Sequence, residues 1–262
     1  MAVNYSISSI LSSPLLLGIL MSSLLIPTAF SDDNPLLNKI CANTTGNYTQ
    51  GGAFAKNMKS LLDVLYDQTP TNHGFRSATW GEGRDRAYGL ALCRGDVSSD
   101  DCSDCIYYGR CKITRRCSGR DAVVWFDYCY VKYSGRDFFG NIDHGNDFIL
   151  VNVDDVGESD KEKFRKAVID LLSKVSKTAT EKAELFFEGE ELFDGKKNTT
   201  IYTMAQCSRD LSSSSCYECL DDAVKELPIY KREGYSVGGR VVGTSCNVRY
   251  EIYSFLNLKA TN

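Results

Sequence analysis

The sequence predicts an α+β protein made of two tandem copies of one unit, and three observations carry that reading. The spacing Cys-x8-Cys-x2-Cys occurs twice, as CRGDVSSDDCSDC over Cys93–Cys105 and as CSRDLSSSSCYEC over Cys207–Cys219. Upstream, Phe54, Met58, Leu61, Leu62 and Leu65 align with Phe164, Val168, Leu171, Leu172 and Val175. Their i, i+4, i+7, i+8, i+11 spacing lays the apolar side chains along one face of an α-helix in both copies. Each copy then closes on two short runs that read as a hairpin, whose strands must pair antiparallel, and two helices can cover only one face of the resulting sheet.

The elements follow in order. Residues 1–31 hold no Lys, Arg, Asp or Glu, and Leu11–Pro27 (LSSPLLLGILMSSLLIP) is a short apolar run broken by Ser, Gly and Pro, which is the chemistry of a signal peptide. Small residues Ala29 and Ser31 precede Asp32 and Asp33, so cleavage is expected after Ser31, with Ala29 as the alternative. The rival reading, a membrane anchor, needs about 20 uninterrupted apolar residues. No comparable run follows Asp32, and the mature chain is expected to be soluble, without a membrane span. Domain 1, residues 32–136, reads as the first amphipathic helix, a strand Tyr88–Cys93, a second helix from Ser99-Asp100-Asp101 to about Cys117, and a hairpin of Ala122–Phe126 with Cys129–Tyr133. Residues 137–147, rich in Gly, Asp and Asn, read as the linker. Domain 2, residues 148–258, repeats the order, with a hairpin of Gly239–Gly243 and Cys246–Tyr253. Trp125 and Phe126 are adjacent on a strand and point to opposite faces, so one of them is expected outside the core.

Composition narrows the function. Of 262 residues, 43% are hydrophobic and 24% charged, as in ordinary globular chains, and the net charge of -4 has the wrong sign for gaining affinity from phosphates. Nucleic acid is therefore not an expected partner. Eleven Cys against two His fit an oxidising compartment. There the sequons at Asn43, Asn47 and Asn198 become candidate glycan sites, while the one at Asn4 falls inside the signal. The two Cys-x2-Cys pairs have zinc-ligand spacing, but copy 2 holds no His and a structural zinc site needs a second pair of ligands. His73 and His144 lie in loop-like contexts, and neither a G-x-S-x-G nor an H-E-x-x-H motif occurs. No metal, no cofactor and no enzymatic activity are expected.

The doubled cysteine triplet, with the matching lead-ins Tyr88–Cys93 and Tyr202–Cys207, resembles the plant cysteine-rich repeat secretory proteins, tandem copies of the ginkbilobin-like stress-antifungal domain, over about Asp32 to Leu258. The resemblance implies, for each domain, a five-stranded antiparallel sheet with two helices on one face, stapled by disulfides. It implies the pairs Cys41–Cys117, Cys93–Cys102, Cys105–Cys129, Cys207–Cys216 and Cys219–Cys246; spacing alone selects none of these among the many connectivities. Copy 2 lacks a Cys before Cys207 and another around Ile229-Tyr230-Lys231, so both halves of one bridge are missing together. Cys111 is left unpaired, either as a buried or capped thiol or as the link of a disulfide-bonded homodimer.

The resemblance also implies a secreted, apoplastic binding protein of defence or stress responses whose partner is a carbohydrate or a cell-surface protein. A receptor-like ectodomain and a secreted hydrolase are the alternatives. Ginkbilobin binds mannose through an Asn just after its first Cys, an Arg six before its last Cys and a Glu five after it. In copy 1 these positions are Ala42, Val123 and Ser134, which cannot do the same work. In copy 2 they are Arg240 and Glu251, with Asn152 as the substitute for the Asn. An Arg fork and a carboxylate on neighbouring strands can hold sugar hydroxyls, and the alternative is that Arg240 and Glu251 neutralise each other as a salt bridge.

Overall fold

The computed structural model describes residues 34–194, 199–227 and 235–257. The signal peptide, the Asn198 sequon and the position of the missing fifth cysteine of copy 2 lie outside the described residues. Domain 1 runs β1 (Leu36–Asn47), α1 (Ala53–Gln68), β2 (Phe75–Trp80), β3 (Ala87–Cys93), α2 (Ser99–Ile113), β4 (Gly119–Phe126) and β5 (Cys129–Ser134). Domain 2 repeats it with β6 (Phe148–Val151), α3 (Lys161–Thr180), β7 (Phe186–Phe193), β8 (Thr199–Cys207), α4 (Ser213–Glu226), β9 (Gly239–Val242) and β10 (Cys246–Glu251). The strand orders are β1-β4-β5-β3-β2 and β6-β9-β10-β8-β7, antiparallel throughout.

The apolar stripes do what their period dictates. Phe54, Met58, Leu61, Leu62 and Leu65 are the buried residues of α1, and Phe164, Val168, Leu171, Leu172 and Val175 are buried on α3. The second helices start on serine caps: Ser98 Oγ accepts from Asp101 N at 3.1 Å, and Ser212 Oγ from Ser215 N at 3.1 Å. Helix α2 ends at Ile113, short of the expected Cys117, because Arg116 takes a left-handed φ of 55° and Cys117 is drawn away to Cys41. Strand β10 ends at Glu251 rather than Tyr253, where the chain leaves the sheet. The residue pattern alone gave three strands per copy; the edge strands β1, β2, β6 and β7 complete the five.

The five disulfides are Cys41–Cys117, Cys93–Cys102, Cys105–Cys129, Cys207–Cys216 and Cys219–Cys246, the pairs implied by the resemblance. Cys111 is the free cysteine and is exposed, which removes the buried-thiol alternative. Both cores hold a ring cluster: in copy 1 Phe54 meets Tyr48 at 5.7 Å and Tyr133 at 6.4 Å, and in copy 2 Tyr235 stacks on Tyr250 at 6.0 Å and meets Phe164, which in turn meets Phe193 at 5.2 Å.

Each helix pair covers one face of its own sheet. The helix-free faces contribute to a third cluster, in which Leu90, Leu92, Val123, Trp125 and Tyr130 of domain 1 meet Val242 and Phe148 of domain 2. This corrects the expectation for the aromatic pair. Trp125 and Phe126 do point to opposite faces, but they are 1% and 8% exposed, because the second domain covers the face that was expected to meet solvent.

Removing the Cys41–Cys117 bridge frees a loop with a sequence separation of 76. Chain entropy puts the cost at roughly 4 kcal/mol. The Cys41→Ser/Cys117→Ser variant is expected to unfold at a correspondingly lower urea concentration than wild type, with the other four disulfides intact by peptide mapping.

Candidate functional site

The register of domain 2 brings the three sequence candidates onto one face. Arg240 is paired with Leu150 on one side and Arg249 on the other, and Asn152 N donates to Gly238 O at 2.8 Å on the next rung, which Glu251 shares. Directly opposed residues in a sheet share a face. Gly238 has no Cβ because Glu251 Oε2 occupies that space.

The two charged candidates do not neutralise each other. Arg240 Nη1 donates to Asp127 Oδ1 of domain 1, and Glu251 Oε1 accepts from Arg249 Nε at 3.1 Å. Asp127 stands at the turn between β4 and β5 and also receives Arg94 Nη1 at 2.8 Å and Arg249 Nη1 at 3.3 Å. Arg94 in turn grips Asp96 through Nε at 2.6 Å and Nη2 at 2.9 Å. Burial pushes the Asp127 carboxyl up, but the charges of Arg240, Arg249 and Arg94 outweigh it and hold the group below the usual carboxylate range. Burial lowers Arg240 to about 10 against the pull of Asp127. With Arg240 only 5% exposed, its fork is turned into the domain interface rather than presented to a ligand.

The docking is reciprocal. The turn of domain 2 sits on domain 1: Trp125 Nε1 donates to Gly243 O at 3.2 Å, Tyr130 OH to Thr244 O at 2.6 Å, and Lys132 Nζ to Thr244 Oγ1 at 3.2 Å. Lys132 and Arg249 are equivalent, three residues past the last Cys of each copy, and each lies under a ring six residues further on. Lys132 is 4.3 Å from the Phe138 centroid and Arg249 is 4.1 Å from that of Phe255. Sequence reasoning missed this network, although the shared offsets Lys132…Phe138 and Arg249…Phe255 were available to find it. A cavity of 30 Å³ between the turns has room for water but not for a sugar ring.

The larger opening is in domain 1. A cleft of 560 Å³ is lined by Ala42, Val123 and Ser134, the three copy 1 positions that the resemblance equates with the mannose ligands, together with Asp121, Lys132 and Phe138. Asp121 Oδ2 accepts from Thr44 Oγ1 at 2.7 Å and Thr45 N at 2.8 Å, while its Oδ1 accepts from Ser134 Oγ at 2.6 Å. Despite burial, these bonds keep Asp121 below its ordinary value. Lys132 Nζ also donates to Asp143 Oδ2 at 2.7 Å. Burial raises Asp143, but the lysine bond and charge lower it to about 2. Nearby, Asp147 lies against Gly243, and burial, then the charge of Asp143, raise it to about 6 against the opposing charge of His144.

Of the other candidates, Asn43 and Asn47 are exposed on β1. Tyr107 and Tyr108 stand 45% and 55% exposed on α2 beside Cys111. Among the described residues no helix is long and apolar enough to cross a membrane, and no group of three or more His, Cys, Asp or Glu could hold a metal ion.

A family profile described as salt stress response/antifungal matches residues 40–136 and again 152–253. The chain is 42% identical over 215 residues to an antimicrobial ginkbilobin-2-like protein of Castanea crenata, covering 80% of this chain and 85% of the relative. It is 39% identical over 229 residues to cysteine-rich repeat secretory protein 38 of Arabidopsis thaliana, covering 86% and 88%. Its fold is similar to the tandem DUF26 ectodomain of the Arabidopsis thaliana cysteine-rich receptor-like protein PDLP8, with a TM-score of 0.66, 24% identity, and coverage of 84% of this chain and 98% of that one.

Two pH-dependent outcomes follow. Asp127→Asn leaves three buried guanidinium groups undercompensated and is expected to cost about 3 to 5 kcal/mol at pH 7. Because the folded pKa of Asp127 is lowered, its contribution is present above the unfolded value and is lost as the pH falls through the folded one. Urea unfolding of wild type and variant should therefore begin to converge only as the pH falls below about 4, the ordinary carboxylate value, and meet only once it has passed the lower folded value. Asp147 has the opposite sign. Its raised pKa means that stability falls as the pH rises from 3.8 to about 6, so Asp147→Asn should unfold at higher urea than wild type at pH 7 and show little gain at pH 4.

Proposed function

The chain belongs to the salt stress response/antifungal family in two tandem copies, and from that premise we propose that it is a secreted, non-catalytic recognition protein of plant defence or stress responses that engages a protein partner as one two-domain body. Its relatives are secretory proteins, and its five disulfides suit the same compartment. The observation that carries the choice of partner is the Arg240–Asp127 pair. A mannose site of the ginkbilobin type needs a free Arg fork, and in copy 2 that fork is enclosed by the other domain. Copy 1 has Val123 in its place. The recognition surface is then the outside of a stiffened tandem.

The test is a calorimetric titration of mannose and mannan into the secreted chain and its Arg240→Ala variant, with a glycan array alongside. The expected result is no saturable heat for either protein and a lower unfolding midpoint for Arg240→Ala, since the variant removes one arm of a buried ionic cluster. Saturable mannose binding that Arg240→Ala abolishes would restore the carbohydrate reading.

A further inference from the structure

The two copies treat one position of the sheet differently. The rung that carries Arg240 opposite Arg249 in domain 2 carries Val123 opposite Lys132 in domain 1. The rung that carries Glu251 carries Ser134. Side chains that fill this face in one copy are cut back in the other, and the 560 Å³ cleft is lined by the truncated residues. That volume is in the range of small-ligand sites.

The groups left around it have one chemical bias. Asn146 Nδ2 is fixed by Asp143 Oδ2 at 2.9 Å and Asn141 Nδ2 by Phe139 O at 3.0 Å, which leaves both amide oxygens open. Asp121 Oδ1 has a single donor, Ser134, and Asp137 uses Oδ1 for Phe139 N, leaving Oδ2 open. Lys132 is engaged with Asp143 and Thr244. Counting Asp121, Asp137 and Asp143 against Lys132 and Arg136 gives the lining a formal charge of 2 − 3 = −1. Ile40, Val123 and Phe138 supply an apolar wall. Unfilled acceptors, a negative balance and an apolar wall match a methylene stem that ends in a many-donor cation.

We propose that the domain 1 cleft is a binding site for a linear alkylguanidinium, the chemistry of an arginine side chain, at the place where domain 2 carries its own Arg240. The inference rests on the recognition reading above and gives it one anchoring pocket on the partner. Asp121 and Asp137 accept its N–H groups, while the Phe138 ring, which already holds Lys132 Nζ 4.3 Å from its centroid, lines the path of the methylene stem.

The probe is butylguanidinium, titrated by calorimetry into the secreted, disulfide-bonded chain at low ionic strength, with uncharged butylurea as the isosteric control. Saturable binding on the order of 1 mM is expected, with butylurea at least about tenfold weaker. Asp137→Asn, at an exposed rim position, should weaken binding about threefold, and Arg136→Ala, which removes the rim cation, should strengthen it about threefold. Ala42→Phe, which fills the cleft, should abolish it. No saturable heat in wild type, equal binding of butylurea, or Asp137→Asn and Arg136→Ala that both bind as wild type would overturn the proposal, even if Ala42→Phe fails to fold. A mannose response with no butylguanidinium response would defeat both readings, whereas silence to both ligands defeats only this one.

Discussion

The arrangement depends on a single buried carboxylate. Asp127 projects from a domain 1 turn into Arg240 and Arg249 of domain 2 and Arg94 of its own domain. Burying three guanidinium groups is costly unless each finds an anion, and the cluster supplies Asp96, Asp127 and Glu251 as three. Phe255 O accepts from Arg94 Nη2 at 3.2 Å, and Asn257 N donates to Asp96 Oδ2 at 2.7 Å, so the segment after β10 is fastened to the same cluster. Charge balance fixes the facing of the two sheets, and the apolar contacts of Trp125, Phe148 and Val242 surround it.

Duplication gives the copies the same elements and then lets their chemistry part. Helix stripes, serine caps and the Cys-x8-Cys-x2-Cys staples are common to both because each domain must bury its own core. The helix-free faces are under no such constraint. Domain 2 uses its face for Arg240, Arg249 and Glu251, while domain 1 has Val123, Lys132 and Ser134 at the same offsets and opens a cleft. Both copies keep a ring cluster in the core, Tyr48–Phe54–Tyr133 and Phe164–Tyr235–Tyr250, and copy 1 adds the Cys41–Cys117 staple to it.

A two-domain body held in this way suits a secreted protein. Disulfides limit the unfolded ensemble of each domain, and Asp127, the central carboxyl of the ionic cluster, keeps its charge into acid because its three guanidinium partners hold it below the ordinary range. Asp147, against the Gly243 turn, is the opposing element, since its charge is favoured in the unfolded chain as the pH approaches 6. The half-buried charge beside that turn is thus removed in mildly acidic surroundings.

The sequence by itself determined the duplication, the class of fold and the amphipathic helices, because cysteine spacing and apolar period are local properties that one domain core enforces. It also carried the lead-ins that mark the family, and through that resemblance the disulfide pairs. The edge strands β1, β2, β6 and β7 were beyond the residue pattern, since such strands are held by a neighbour's ladder as much as by their own alternation. The burial of Trp125, the capture of Arg240 by Asp127 across 113 residues and the cleft at Val123 were decided only in the tertiary structure. Whether a charged side chain greets a ligand or a buried partner depends on which surface covers it, and no local pattern records the face that one domain turns to the next.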